Sequence, residues 1–373
     1  MHSHPLSVMH IASGDLWAGA EVQLATLARA QSNLPGVSVT VLLMNHGRLA
    51  RELIQSNIEV IVLDESKFNG FSILKRITQI MRQTRPDVVH THRIKENVLG
   101  SIAARLAGNI PCLRTAHGAA EHPPSWRKPA QWLNLWLDNA CARWLQTRTI
   151  AVSRDLADQL RVSLPAGKIV TIENGIDLEA CARINPSKPD GKRHIGLVGR
   201  LVAVKRCDVF IDTARLLFAQ SPQADVVFHI FGDGPLQPDL EQQGQSLITT
   251  GQLVFEGHSD EILQHISRLD ILLMTSDHEG LPMTLLEAMA LETPIVAHAV
   301  GGIPRLLADG ACGNLVSQQD PVQYASLIRQ VLDSPEQTAE QTRQAAQRVA
   351  EHYSAQHNAK KIVACYQQIL DRD

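Results

Sequence analysis

Short apolar runs bounded by turn residues alternate with longer stretches whose apolar positions recur every three or four residues. In the first half the runs fall at 6–12, 37–43, 59–63, 87–91, 111–116, 149–152 and 168–172, and in the second at 194–198, 225–231, 252–256, 270–274 and 294–298. Runs of this length read as buried strands and the amphipathic stretches between them as helices. Such alternation predicts a parallel sheet covered by helices on both faces. Halfway along, the polar, breaker-rich stretch from Asn185 to Lys192 interrupts the pattern and reads as a connection between two α/β domains. The expected division is a first domain over 1–178, a second over 190–355, and an amphipathic end segment over 356–373. In that segment Ile362, Val363, Tyr366, Ile369 and Leu370 share helical spacing. From Asp320 onward the chain reads as helical and polar, with no further candidate chemistry.

Composition narrows the class. A length of 373 residues suits two domains of ordinary size. The balance of 35 Lys plus Arg against 38 Asp plus Glu excludes a basic nucleic-acid binder, so no nucleic-acid partner is expected. Six scattered cysteines without a Cys-x-x-Cys pair indicate neither a zinc site nor a disulfide framework, which fits a reducing cytoplasm. No signal-peptide pattern and no run of about 18 apolar residues is present, so the expected location is cytoplasmic, at most peripheral at the inner face of a membrane.

The chemistry concentrates after the run ending at Met274, in Asp277-His278-Glu279-Gly280-Leu281-Pro282-Met283-Thr284-Leu285-Leu286-Glu287. This is a strand-to-helix turn, and such turns at the carboxyl ends of parallel strands are where open α/β sheets bind ligands. Gly280 lets the backbone approach a ligand, while Pro282 suits a helix start whose free N–H groups favour an anion. Were the whole span helical, Glu279 and Glu287 would stand roughly 12 Å apart. That exceeds the ~5–9.5 Å of a glycosidase acid/base pair. One long polyol with a charged middle, such as a nucleotide sugar, fits better.

Glu279-x7-Glu287 with its internal Gly-Leu-Pro resembles the signature of retaining glycosyltransferases of the GT-B fold, family 4-like and group 1. The resemblance implies two Rossmann-like, doubly wound domains facing a cleft. It implies that Glu279 holds sugar hydroxyls and Glu287 ribose hydroxyls. Gly199-Arg200-Leu201-Val202-Ala203-Val204-Lys205 resembles the family's phosphate-binding motif, and on chemical grounds too Arg200 and Lys205 on a strand-to-helix loop suit a diphosphate. Arg206 is adjacent to it. Gly232-Asp233-Gly234-Pro235 resembles a donor-lining turn, and Gly257-His258 the turn whose backbone reads the nucleobase. Gly301-Gly302-Ile303-Pro304 resembles Gly-Gly-x-Pro-Glu, with Arg305 replacing the usual Glu. Asn174-Gly175-Ile176-Asp177 resembles the motif where the chain leaves the first domain.

Motifs in the first half are looser. Gly19-Ala20-Glu21 is similar to the family's Gly-Gly-x-Glu donor turn, with Ala20 in place of a glycine, and makes Gly19 a donor-site candidate. His90 and His92 lie on one side of a strand and His117 ends the next one. Hydrogen-bonded strand-end histidines explain them generically, and no acidic residue shares their spacing as a metal ligand would. The resemblance makes His117 a contact near the reacting sugar carbon, with His92 and Arg93 as lining residues. Trp126, Trp132, Trp136 and Trp144 crowd into 121–148, the last three at multiples of four beside Leu133, Leu137 and Cys141. Core packing fits this stripe, and so does a surface meeting a membrane or a lipid-linked acceptor.

These expectations combine into a retaining glycosyltransferase without a bound metal or cofactor. It would move a hexosyl or N-acetylhexosaminyl group from a UDP- or GDP-sugar to a glycan or lipid-linked acceptor in surface polysaccharide or lipopolysaccharide assembly. The alternatives are a nucleotide-sugar epimerase of the same fold and a catalytically idle relative that binds nucleotide sugars or a partner.

Overall fold

The computed structural model describes residues 4–15, 17, 19–117, 129–185 and 191–371. The chain divides into two units, Met1–Ile176 with Ala355–Asp373, and Asp177–Ser354.

The first unit carries strands β1 (Leu6–Ala12), β2 (Val37–Leu43), β3 (Glu59–Val62), β4 (Val88–Thr91), β5 (Cys112–Ala116), β6 (Arg148–Ala151) and β7 (Ile169–Thr171). They form one parallel sheet in the order β3-β2-β1-β4-β5-β6-β7. The central strands β1, β4 and β5 are buried on nearly every position, as a sheet with helices on both sides requires. The terminal helix Ala355–Leu370 packs on the Gly19–Ser32 helix. It puts Ala359, Ile362, Tyr366 and Ile369 into a core shared with Val8, Leu27, Val88 and Leu113. Full burial of side chains the size of Ile362 and Ile369 stabilises by about 1.5–3 kcal/mol each.

The second unit carries β8 (Arg193–Val198), β9 (Val226–Phe231), β10 (Leu253–Gly257), β11 (Ile271–Met274), β12 (Ile295–His298) and β13 (Asn314–Val316). Their order is β10-β9-β8-β11-β12-β13, again all parallel. The predicted apolar runs match twelve of these thirteen strands within a residue or two. The exception, β13, has three residues beginning with a polar Asn314, so it leaves no run to detect. In each sheet the order reverses beside the first strand of the unit, between β1 and β4 and between β8 and β11. Doubly wound sheets bind ligands outside the carboxyl ends of the strands at such a reversal.

The tryptophan stripe departs from the core reading. On the helix Pro129–Trp144, Leu133, Trp136 and Trp144 are exposed, at 56%, 62% and 69%. The inward face is instead anchored by a carboxylate: Asp138 accepts from Asn97 Nδ2 at 3.0 Å and pairs with buried Arg114. Trp126 lies outside the described residues. No helix among the described residues is long and apolar enough to cross a membrane.

Candidate active site

In the second unit the loop after β8 is tied by backbone to the loop after β9 and to the loop after β11, which lies across the reversal. Gly199 N–H donates to Phe231 O at 3.0 Å, Leu201 N–H to Asp233 O at 2.8 Å, and Leu236 N–H back to Leu201 O at 3.2 Å. This close approach requires Gly232, whose φ is +131° and where a Cβ would stand 2.0 Å from Gly199 O. Beyond buried Leu201 a single tight turn, Ala203–Lys205, leads to Arg206 in the left-handed region at φ +48°. Asp277 N–H donates to Val204 O at 2.8 Å, and Thr275 Oγ1 donates to the carbonyls of Lys205 and Arg206 at 3.0 and 2.9 Å.

The clamp brings Lys205 Nζ to 2.6 Å from Glu279 Oε1. Both side chains are largely withdrawn from water, so the charges attract more strongly than a surface pair. Behind them the loop after β12 presses on the Glu279 backbone. Gly301 has φ +54°, and a Cβ there would lie 1.8 Å from Glu279 O, while Gly302 N–H donates to Gly280 O at 3.1 Å. Leu281 and Pro282 are buried, and Pro282 caps the Met283–Ala290 helix without any side chain closing its N-terminus. Unsatisfied N–H groups at such a start favour an anion.

Glu287 stands farther along the same helix. It is half-buried and has no hydrogen-bond or ion-pair partner among the described residues. Burial alone raises its carboxyl to about 7. Beside it the buried Cys181 thiol is pushed up to about 12 by its own burial and then by the Glu287 and Asp177 carboxylates. A carboxyl withdrawn from water without a protein partner is set to accept hydrogen bonds from a ligand.

Gly199, Lys205, Gly232, Glu279, Gly280, Leu281 and Pro282 therefore come together through interlocked loops of one unit. Arg200 lies on the same loop with its side chain exposed. His258 is exposed on the turn after β10, 3.5 Å from Asp260, while Gly257 O accepts from Gly232 N–H at 2.7 Å. Arg206 is committed inside the protein, to Asp208 at 3.0 Å, Asp277 at 3.3 Å and Gln319. Arg305 is an exposed residue of the short Ile303–Leu306 helix. Asp277 and Gln319 as loop clamps were not legible, because their partners are 71 and 113 positions away.

Gly19 and His117 belong to the first unit. Gly19 opens its helix in open space, where an added Cβ would meet nothing within 4 Å. Glu21, two residues on, is buried and pairs with the Arg93 guanidinium. His117 ends β5 half-buried, its Nε2 3.3 Å from His92 Nδ1. His90 and His92 are fully buried, and His10 joins them from β1. One nitrogen of each lies within 4.8 Å of the others. His10 was missed, and only the adjacency of β1 and β4 connects it to this group.

Comparison with known proteins identifies the family. Residues 182–349 match the family model described as Glycosyl transferases group 1, and residues 17–180 the model described as Glycosyltransferase Family 4. The chain is 30% identical over 270 residues to a UDP-Gal:alpha-D-GlcNAc-diphosphoundecaprenol alpha-1,3-galactosyltransferase of Escherichia coli, covering 68% of each protein. It is 26% identical over 386 residues to a D-inositol 3-phosphate glycosyltransferase of Mycolicibacterium smegmatis, covering 94% of this chain and 83% of that one. Among solved structures, Anabaena Alr3699/HepE in complex with UDP-glucose superimposes with a TM-score of 0.81 at 20% identity, covering 97% of this chain and 99% of that one. With two doubly wound units, and with both family models and the Escherichia coli relative matching along them, the chain belongs to the group 1, family 4-type glycosyltransferases of the GT-B fold.

Proposed function

We propose that this glycosyltransferase is retaining and metal-independent, and that it moves a hexosyl or N-acetylhexosaminyl group from a UDP- or GDP-sugar to a hydroxyl of a glycan or lipid-linked acceptor. The observation that carries the reading is the Lys205–Glu279 contact at the sheet reversal, with partnerless Glu287 on the helix that follows. Lys205, Arg200 and the start of the Met283–Ala290 helix supply positive potential for a leaving diphosphate. Glu279 would hold sugar hydroxyls and Glu287 the ribose diol. In transfer the bond from the anomeric carbon to the diphosphate oxygen breaks and a bond from that carbon to the acceptor oxygen forms on the same face. The acceptor proton passes to the departing phosphate oxygen. His117, neutral because burial and the nearby Arg93 charge hold it down at about 4, would touch the sugar without adding charge. UDP is favoured as the base-bearing half by the Escherichia coli and Anabaena relatives.

The exposed Leu133, Trp136 and Trp144 suit an interfacial surface, and the exposed Arg143 beside them suits anionic headgroups. This supports a lipid-linked acceptor at the inner membrane face, within lipopolysaccharide or other surface-polysaccharide assembly. A thermal-shift panel of nucleotide sugars, followed by proton NMR of the product with lipid-linked acceptors, tests the reading. Stabilisation by one UDP- or GDP-sugar and a product with the donor's anomeric configuration are expected. An inverted product would remove retention, and epimerised donor released without acceptor would favour an epimerase.

A further inference from the structure

The strands that flank the reversal in the first unit carry a connected set of buried polar groups. His10 on β1 places Nε2 2.7 Å from Gln31 Oε1 and Nδ1 2.9 Å from His92 Nε2. His92 Nδ1 lies 3.3 Å from His117 Nε2. On the other side Gln31 Nε2 donates to the Tyr366 hydroxyl at 3.1 Å, that hydroxyl lies 2.6 Å from His90 Nδ1, and His90 Nε2 lies 2.7 Å from Thr115 Oγ1.

The direction of the bonds from Gln31 through His10 and His92 to His117 follows from the Gln31 carbonyl. Its carbonyl only accepts, so His10 carries its proton on Nε2, and neutral His10 then offers Nδ1 as an acceptor. His92 must donate from Nε2, which leaves its Nδ1 to accept, and His117 must donate from Nε2. The Gln31 amide nitrogen fills one Tyr366 lone pair and leaves the hydroxyl proton available to His90 Nδ1, whose Nε2–H then faces Thr115 Oγ1. Burial makes the protonated forms unfavourable: His10 is held down at about 4, and His90 and His92 lie well below their ordinary range, chiefly from desolvation. Turning the Gln31 amide over would reverse all these bonds together. Its orientation is therefore the one choice that the chain of rings obeys.

We propose that Gln31, held by Tyr366 and acting through His10 and His92, is a positioning residue that fixes His117 as the Nε2–H tautomer and leaves its Nδ1 as a bare acceptor. A bare Nδ1 takes a hydrogen bond from a hydroxyl, whereas the opposite tautomer would present an N–H suited to phosphate or carbonyl oxygen. His117 Nδ1 has no partner among the described residues. The catalytic consequence rests on the reading of His117 as a donor-sugar contact. The relay itself does not.

A metal ion is the competing occupant of the His10, His90 and His92 group. Zinc would need three ring lone pairs converging at about 2.0–2.1 Å. The rings are layered instead: His90 and His92 stack at 4.4 Å with 28° between their planes, and His10 lies over them at 5.0 and 5.2 Å. Their nitrogens are aimed at one another and at Gln31, Tyr366 and Thr115.

Long-range proton–nitrogen correlation spectra of the full chain labelled with 15N-histidine test the relay, with His117 assigned by its loss in His117→Gln. A protonated Nε2 and bare Nδ1 at His117 are expected from about pH 6 to 8. A protonated Nδ1 or a mixture in the wild type would overturn the proposal, as would a stoichiometric zinc-induced shift of His10, His90 and His92. Gln31→Met should give a mixed tautomer at His117 with an unchanged circular dichroism spectrum, and an unaltered His117 pattern there would sink the relay. Should that variant fail to fold, Tyr366→Phe frees the Gln31 amide and should give the same mixing, with the same contrary outcome. In kinetics Gln31→Met should lower kcat about fivefold, the worth of one ordinary hydrogen bond. A shifted tautomer with unchanged kcat would leave the relay standing and remove His117 from the sugar site.

Discussion

Lys205 Nζ and Glu279 Oε1 lie 2.6 Å apart although the residues are 74 positions apart in the chain. Two loops from opposite sides of the sheet reversal make this contact, and the Asp277 backbone N–H and the Thr275 hydroxyl hold them in place. The two charges satisfy each other. A diphosphate would compete for the ammonium and leave the carboxylate to sugar hydroxyls.

That division of labour separates two functions in one variant. Glu279→Ala should lower transfer about 10²–10³-fold, the usual cost of removing one preorganised polar contact to the reacting group. UDP affinity should stay level or tighten, because Lys205 loses its internal competitor. Steady-state kinetics beside calorimetry checks this, and parallel loss of UDP binding would place Glu279 on the diphosphate instead.

Gly301 should be intolerant of any side chain. At φ +54° an L-residue costs about 1–2 kcal/mol from backbone strain alone. A Cβ 1.8 Å from Glu279 O must also push the acidic loop away. Gly301→Ala is expected to lower Tm by about 3–8 °C and to reduce kcat, read by calorimetric scanning and initial rates. A variant with wild-type Tm and kcat would mean that the loop after β12 does not support Glu279.

Glu287 gives a pH signature. Its carboxyl titrates near 7 in the folded chain against an ordinary 4.5, so between these values the native state holds a proton that the unfolded state has lost. Stability therefore falls as pH rises through that window, with the penalty complete above about 7. Glu287→Gln should raise Tm at pH 8, and the gain should shrink toward pH 5. Donor KM of the wild type should fall as Glu287 ionises and accepts the ribose hydroxyls. A Tm gain independent of pH would contradict the raised carboxyl.

The histidines of the first unit give the opposite slope. His10 and His117 are held at about 4 against an ordinary 6.5, and burial holds His90 and His92 well below 6.5 too, so the unfolded chain binds more protons below 6.5. Their contribution is present above about 6.5 and is lost as pH falls toward 4. Chemical denaturation from pH 7.5 to 4.5 should show this loss, and a folded His90→Gln variant should show a shallower one. Identical slopes would place the acid sensitivity elsewhere.

Both sheets were legible in the sequence because parallel strands with both faces covered are continuous apolar runs, and helices between them keep their own period. The interlocked loops of the second unit were legible for a different reason: Gly232, Lys205, Glu279 and Gly301 sit in short motifs whose residue types suit close backbone approach and charge pairing. Arg206 shows where such reading stops, since nothing local distinguishes a cation reserved for ligand from one spent on Asp208, Asp277 and Gln319. The His10–Gln31–Tyr366 connection is likewise invisible in sequence, with partners up to 335 positions apart. The tryptophans misled on one face because helical spacing identifies a stripe without saying whether it turns inward, and Asp138 had already taken the inward side.

Calorimetric titration of UDP in the presence of EDTA, on the wild type, Lys205→Ala and Glu287→Ala, probes the assignment of one nucleoside-diphosphate site to the second unit. One UDP per wild-type chain is expected, with affinity at least tenfold weaker in each variant. Equal affinity in all three, or binding only with a divalent ion, would show that Lys205 and Glu287 do not share the pocket proposed for them.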